Sequence, residues 1–166
     1  MEDMKVRFTK IDPTRHRFEI VRSNRASEQA LLETKSLMPH DLIHFAYESA
    51  AGRRESFFGK LASGTTLEEF NDRAIMSDPK NLGAEMITTE RITGPLSAYL
   101  LEQIDERTFF LGLKNAFDAT GDAVPADVTP DLLLAIKARY RSLIGEWNSL
   151  PHHKTMEIEW IEGFWA

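Results

Sequence analysis

The chain of 166 residues contains no cysteine. That excludes disulfide staples, thiolate metal sites and cysteine nucleophiles, and it suits a reducing compartment. No uninterrupted apolar run approaches the roughly 20 residues of a membrane span. The start, Met1-Glu2-Asp3-Met4-Lys5, is acidic and lacks the apolar stretch of a signal peptide. The expectation is a soluble, cytoplasmic chain with no membrane partner. Positive charge is in deficit, with a net charge of −6. Nucleic-acid binding draws on clustered Lys and Arg, so no nucleic-acid partner is expected. Arg53-Arg54 and Arg139 with Arg141 are short, are broken by acids and read as solvated surface. The chain also has no Gly-x-Ser-x-Gly elbow near Ser36, Ser49 or Ser56, no Gly-x-Gly-x-x-Gly, and no Gly-Lys-Ser/Thr phosphate loop.

Hydrophobic residues make up 42% and charged residues 28%, the balance of a globular protein rather than a disordered one. The length fits one domain over residues 1–166. Met4, Val6 and Phe8 alternate with polar residues, as do Phe18 and Ile20, and the turn residues Asp12-Pro13-Thr14 separate the two strands. Ala30 to Thr34 is expected as a third strand. Helical spacing then takes over: Pro39 to Ala51, stopped by Gly52; a short helix through Phe57, Phe58 and Leu61, stopped by Gly64. Thr65 with Glu68, or Thr66 with Glu69, offers a capping box, and Ser77-Asp78-Pro79 breaks the chain. Leu82 to Ile104 is helical, with Gly94-Pro95 expected to kink or split it. Arg107 to Ala119 closes at Gly121, and Thr129-Pro130-Asp131 opens a helix to Asn148. Met156, Ile158 and Trp160 alternate with acids, the cleanest strand pattern in the chain.

Strands at both ends around a helical middle imply an α+β fold. An antiparallel sheet of the N-terminal strands plus the C-terminal strand would have one face covered by helices. Glu157 and Glu159 would then lie opposite Lys5 and Arg7.

Chemistry concentrates at Met38-Pro39-His40-Asp41-Leu42-Ile43-His44-Phe45-Ala46-Tyr47-Glu48. On a helix beginning at Pro39, His40, His44 and Glu48 stack in one row. With Asp41 they fill an arc of about 100°, a narrow polar strip on an otherwise apolar helix. Two imidazoles and a carboxylate suit a divalent metal ligated by His40, His44 and Glu48, with Asp41 or Glu48 as catalytic acid or base. His40-Asp41-x-x-His44 parallels the zinc motif His-Glu-x-x-His. Aspartate is one methylene short, which holds the carboxylate roughly 1.5 Å farther from a metal-bound water. The third ligand could come from His152 or His153 if the C-terminal segment folds back. The plainer reading is structural. Asp41 favours the helix dipole, His44 and Glu48 form an i, i+4 pair, and His40 ties down the preceding loop. Anion binding by His40 and nearby arginines at the helix start is a third reading. Glu102, Asp105 and Glu106 read as a solvated cluster, and Trp147 and Trp160 as core. Gly163-Phe164-Trp165 either docks on the domain or marks a partner contact.

The segment Leu37 to Phe45, with Glu48 following, resembles the signature of a group of small uncharacterised bacterial proteins. In these a Leu-Pro-His-Asp-Leu-x-His helix carries a glutamate one turn later. They begin on a basic strand and hairpin and end on an alternating strand after a tryptophan-bearing helix. Phe58-Gly59-x-Leu61-Ala62-x-Gly64 is similar to the stretch that follows their motif. Met38 stands where leucine is usual, and residues 71–120 form a longer middle. The resemblance implies the α+β layout and no activity. The reading taken from the sequence is a non-catalytic interaction domain or homodimer. The alternative is a metal-dependent hydrolase or metal-binding protein using the His40/His44 helix.

Overall fold

Alternating apolar residues build three strands at the start of the chain, β1 (Met4–Lys10), β2 (Arg15–Arg22) and β3 (Ser27–Glu33), and one near its end, β4 (Thr155–Trp160). They form an antiparallel sheet in the order β3-β2-β1-β4. The computed structural model describes residues 3–24 and 27–161. Register puts Phe8 opposite Phe18 and Met156, and Val6 opposite Ile20 and Ile158, so one face is a continuous apolar layer. The other face is charged. Arg7 Nε donates to Glu157 Oε2 at 2.7 Å, and Lys5 reaches Glu157 at 3.1 Å and Glu159 at 3.9 Å. The expected cross-strand pairing of the two ends is therefore present.

Eight helices connect β3 to β4: α1 (Thr34–Ala51), α2 (Phe57–Ala62), α3 (Leu67–Asn71), α4 (Arg73–Met76), α5 (Pro79–Leu82), α6 (Ala84–Leu100), α7 (Glu106–Asp118) and α8 (Pro130–Ser149). They cover the apolar face. Helix α1 lies innermost, against α2, α6 and α8. Phe58 of α2 sits among Phe45, Phe18 and Trp160, with ring centroids 5.1, 6.4 and 6.3 Å away. Truncating such a buried ring costs about 3–5 kcal/mol. Trp147 and Trp160 belong to this core, while Gly163, Phe164 and Trp165 lie outside the described residues. No helix among the described residues is long and apolar enough to cross a membrane.

Several boundaries follow their caps. Thr66 and Glu69 make the capping box of α3, Asp78 caps α5, and Thr129 caps α8. Two expectations are corrected. Helix α1 begins at Thr34, because the Glu33 carboxylate accepts from the amides of Lys35 and Ser36. Pro39 therefore lies inside the helix, and neither His40 nor Asp41 sits in its first turn. The dipole argument for Asp41 and the anion-binding reading of His40 both lose their basis. Pro95 does not split its segment: α6 is one helix from Ala84 to Leu100. Arg53 is also more than solvated surface. Its guanidinium donates to Tyr47 Oη at 3.0 Å and to Asp127 at 2.7 Å.

Candidate metal centre

The row His40, His44, Glu48 runs from surface to core along α1. The His40 side chain is 53% exposed, that of His44 3%, and Glu48 is fully buried. A buried carboxylate needs donors, and α2 supplies them. The helix opens at Ser56, whose hydroxyl pairs with Thr89 Oγ1 at 2.7 Å instead of capping the amides behind it. Those amides turn to Glu48: Phe58 N–H donates to Oε1 at 2.8 Å, and Gly59 N–H is hydrogen-bonded to the same carboxylate. A carboxylate from one helix thus caps the positive end of another. The far end of α2 is held by the opposite charge, because Arg22 donates to Leu61 O at 2.8 Å and to Thr65 O at 2.7 Å. Close approach at the N-terminal end depends on Gly59. A Cβ there would lie 2.1 Å from the Arg54 carbonyl oxygen.

The second oxygen of Glu48, Oε2, lies 2.9 Å from His44 Nδ1. With Glu48 ionised its carboxylate only accepts, so Nδ1 carries the proton and Nε2 presents its lone pair; a protonated Glu48 would donate to Nδ1 and leave the imidazole proton on Nε2. That nitrogen is buried and makes no hydrogen bond. Its nearest charged neighbour is Glu90 Oε1 on α6, at 3.4 Å. His40 completes the group, with its ring centroid 4.6 Å from that of His44. One donor atom each from His40, His44 and Glu90 lie within 4.8 Å of one another. The electrostatics differ along the row. Burial pushes the His44 imidazole down to about 4, against the pull of Glu90. It also pushes the Glu48 carboxyl well above its usual range, against the amides of Phe58 and Gly59. His40 shifts upward because of its contact with Asp41 Oδ1, 3.4 Å from Nδ1.

The geometry rearranges the ligand set expected from the sequence. His40 and His44 come together, but their carboxylate neighbour is Glu90. Glu48 stands behind His44 with both oxygens engaged, and Asp41 is occupied at His40. His152 and His153 fall in the turn before β4, where His153 N–H donates to Lys10 O, and they do not join the group. Glu90 was missed because it comes from a separate helix. Glu90 stands in the mixed run Thr88-Thr89-Glu90-Arg91 of α6, which carries no spacing that singles it out, while its polar neighbours Thr89 and Thr93 are buried.

Two donors about 2.1 Å from one ion at a tetrahedral angle stand about 3.4 Å apart. The Nε2–Oε1 separation of 3.4 Å is of that size. His40 and Glu90 are about half exposed, so modest rotation can bring the remaining donor atoms to such spacing. The donor set, two imidazoles and one carboxylate with no sulfur, suits zinc and other divalent transition metals. Comparison of the chain with family models, with curated proteins and with solved structures gave no match.

Proposed function

We propose that the protein binds a divalent transition metal, zinc foremost, on His40, His44 and Glu90, and uses it in metal-assisted hydrolysis. The observation that carries this reading is the state of His44. Its Nδ1 lies 2.9 Å from the buried Glu48 carboxyl while its buried Nε2 has no hydrogen bond and lies 3.4 Å from Glu90, with His40 beside it. Metal-bound histidines are oriented in this way, with a carboxylate fixing the tautomer from behind. His16 also has a buried Nε2 without a hydrogen bond, but among the described residues it has no ligand neighbours, whereas His44 Nε2 has the Glu90 carboxylate at 3.4 Å and the His40 imidazole beside it. A cation on Nε2 also favours the ionised form of Glu48, offsetting part of its burial. Three protein ligands, two of them at the surface, leave a position for water. A bound ion acidifies that water toward neutrality, which is the chemistry of hydrolytic metal sites.

The test uses untagged protein stripped with a chelator and reloaded with zinc or cobalt. We expect close to one equivalent of metal by elemental analysis, lost in His44→Ala. Wild-type protein that retains no metal after reloading overturns the reading.

A second reading, self-association, is supported by the open sheet. Strands β3 and β4 are its edges, and Leu31 on β3 is 54% exposed. Light scattering over a concentration series is its test, and a monomer throughout counts against it.

A further inference from the structure

The helical cover of the sheet is incomplete at β3. Along this edge strand the inward residues Glu28, Ala30 and Leu32 are only half buried, whereas Ile20, Phe18 and His16 opposite them on β2 are fully covered. The gap between β3, α1 and α3 is a cavity of about 230 Å³. Its walls are apolar, with Leu32, Leu37, Phe57, Leu67 and Phe70 among them, and they include no Lys or Arg. Its polar lining comes from His40, Asp41 and Asn71. Two residues join this cavity to the metal centre. His40 belongs to both. Phe57 packs its ring against Phe70 at 4.8 Å on one side and edge-on to His44 at 6.4 Å on the other.

We infer that this cavity is the specificity pocket of the metal centre, taking an uncharged aryl or compact branched alkyl arm of the substrate while the substrate's polar group reaches the ion. The inference rests on the metal reading above. Size sets the class of the arm. An apolar cavity of about 150 Å³ holds a benzene molecule, whereas sites for whole drug-sized ligands start at about 300 Å³. The space here therefore fits one ring and a short linker, with the rest of the substrate outside. Charge narrows it further. With no Lys or Arg in the lining and the Asp41 carboxylate among it, a carboxylate or phosphate on the arm would be desolvated and repelled. The polar group of the substrate is placed by His40, since that ring is at once a wall of the cavity and a donor of the metal group.

The experiment uses the full chain. Zinc content is measured first, and the zinc-loaded protein is then titrated with acetohydroxamate and with 3-phenylpropanohydroxamate, which share one chelating head. The expected result is at least tenfold tighter binding of the phenyl compound. Ala30→Leu, which fills the cavity from the sheet side, and Leu67→Asp, which makes its wall polar, should each abolish that preference while acetohydroxamate binds as before. Equal binding of the two compounds to zinc-loaded wild type overturns the pocket and leaves the metal centre standing. So does a phenyl preference that survives both substitutions. A protein that retains no zinc overturns both readings, and the zinc measurement separates that failure from the other.

Discussion

Two histidine–carboxylate pairs lie within three turns of α1, and they behave as different chemical objects. His40 and Asp41 are neighbours in sequence, sit near the surface and touch at 3.4 Å. His44 and Glu48 are one turn apart, buried, and touch at 2.9 Å. Only the second pair is organised from outside its own helix, by the amides of Phe58 and Gly59. What fixes a side chain's protonation and direction here is its burial and the partner it meets, not its residue type. In the first pair His40 is half exposed and Asp41 only 13% exposed; the second pair is buried and tied to a second helix, and it therefore sets where an ion would be held.

The sharpest way to break this contrast is to remove each acid in turn. Glu48→Ala should lower stability by about 3–5 kcal/mol, since it leaves a cavity, two amides without their acceptor and an unheld imidazole. Asp41→Ala should cost about 1 kcal/mol or less, since the contact it loses, with His40 at 3.4 Å, is long and half exposed. Urea unfolding of both variants measures the difference, and equal losses would erase the distinction. Gly59→Ala tests the same point through the backbone. The methyl group would collide with the Arg54 carbonyl, so α2 must shift away. We expect a loss of about 2–3 kcal/mol, in the range of overpacked cores. An unchanged midpoint would show that α2 is not held at that approach.

Glu48→Gln sharpens the comparison without emptying the site. The amide can keep its oxygen on Phe58 N–H, but its NH₂ then faces His44 Nδ1 and forces the imidazole proton onto Nε2. Metal affinity should fall about 10–100-fold, the usual effect of losing such a support. Asp41→Asn should change it far less. Competition against a zinc chelator reads both constants.

The smallest effect comes from a second buried histidine. His16 on β2 has Nδ1 3.0 Å from the Thr34 hydroxyl, an edge-on contact with Trp147 and no acid within hydrogen-bonding distance. Burial lowers its pKa below 6.5. The unfolded chain therefore binds the proton more readily, so this contribution is complete above pH 6.5 and is lost as pH falls below it. Chemical unfolding between pH 7 and pH 5 should show a shallower acid loss in His16→Leu than in wild type. Parallel curves would remove His16 from the acid response.

Much of the fold was legible because its signals are local. Alternation at Met156, Ile158 and Trp160 needed only its own residues, and Lys5 and Arg7 against Glu157 and Glu159 suggested the pairing of the ends. The start of α1 was not legible. Glu33 is an uncommon cap, while Pro39 is a common first helical residue, so the stronger signal pointed five residues too late. The centre was half legible. A polar row on a helix is ordinarily read as facing water, and nothing in residues 38–48 tells that its far end is buried. That depends on the N-terminus of α2, whose own hydroxyl is spent on Thr89. Glu90 depends on how α6 packs on α1, which no spacing within either helix encodes.

The position of β1 carries a consequence for how the chain is made. Its two neighbours are β2, which follows after a short turn, and β4, which begins at Thr155. During synthesis β1 gains its first partner almost at once and its second only once residues 155–160 have emerged. Closing a pairing of such long range is slow compared with forming local hairpins and helices. Until then Met4, Val6 and Phe8 lie on an edge strand, with backbone groups free to pair with another molecule. Docking of β4 is therefore the step that closes the β1 edge and moves the open edge of the sheet to β4.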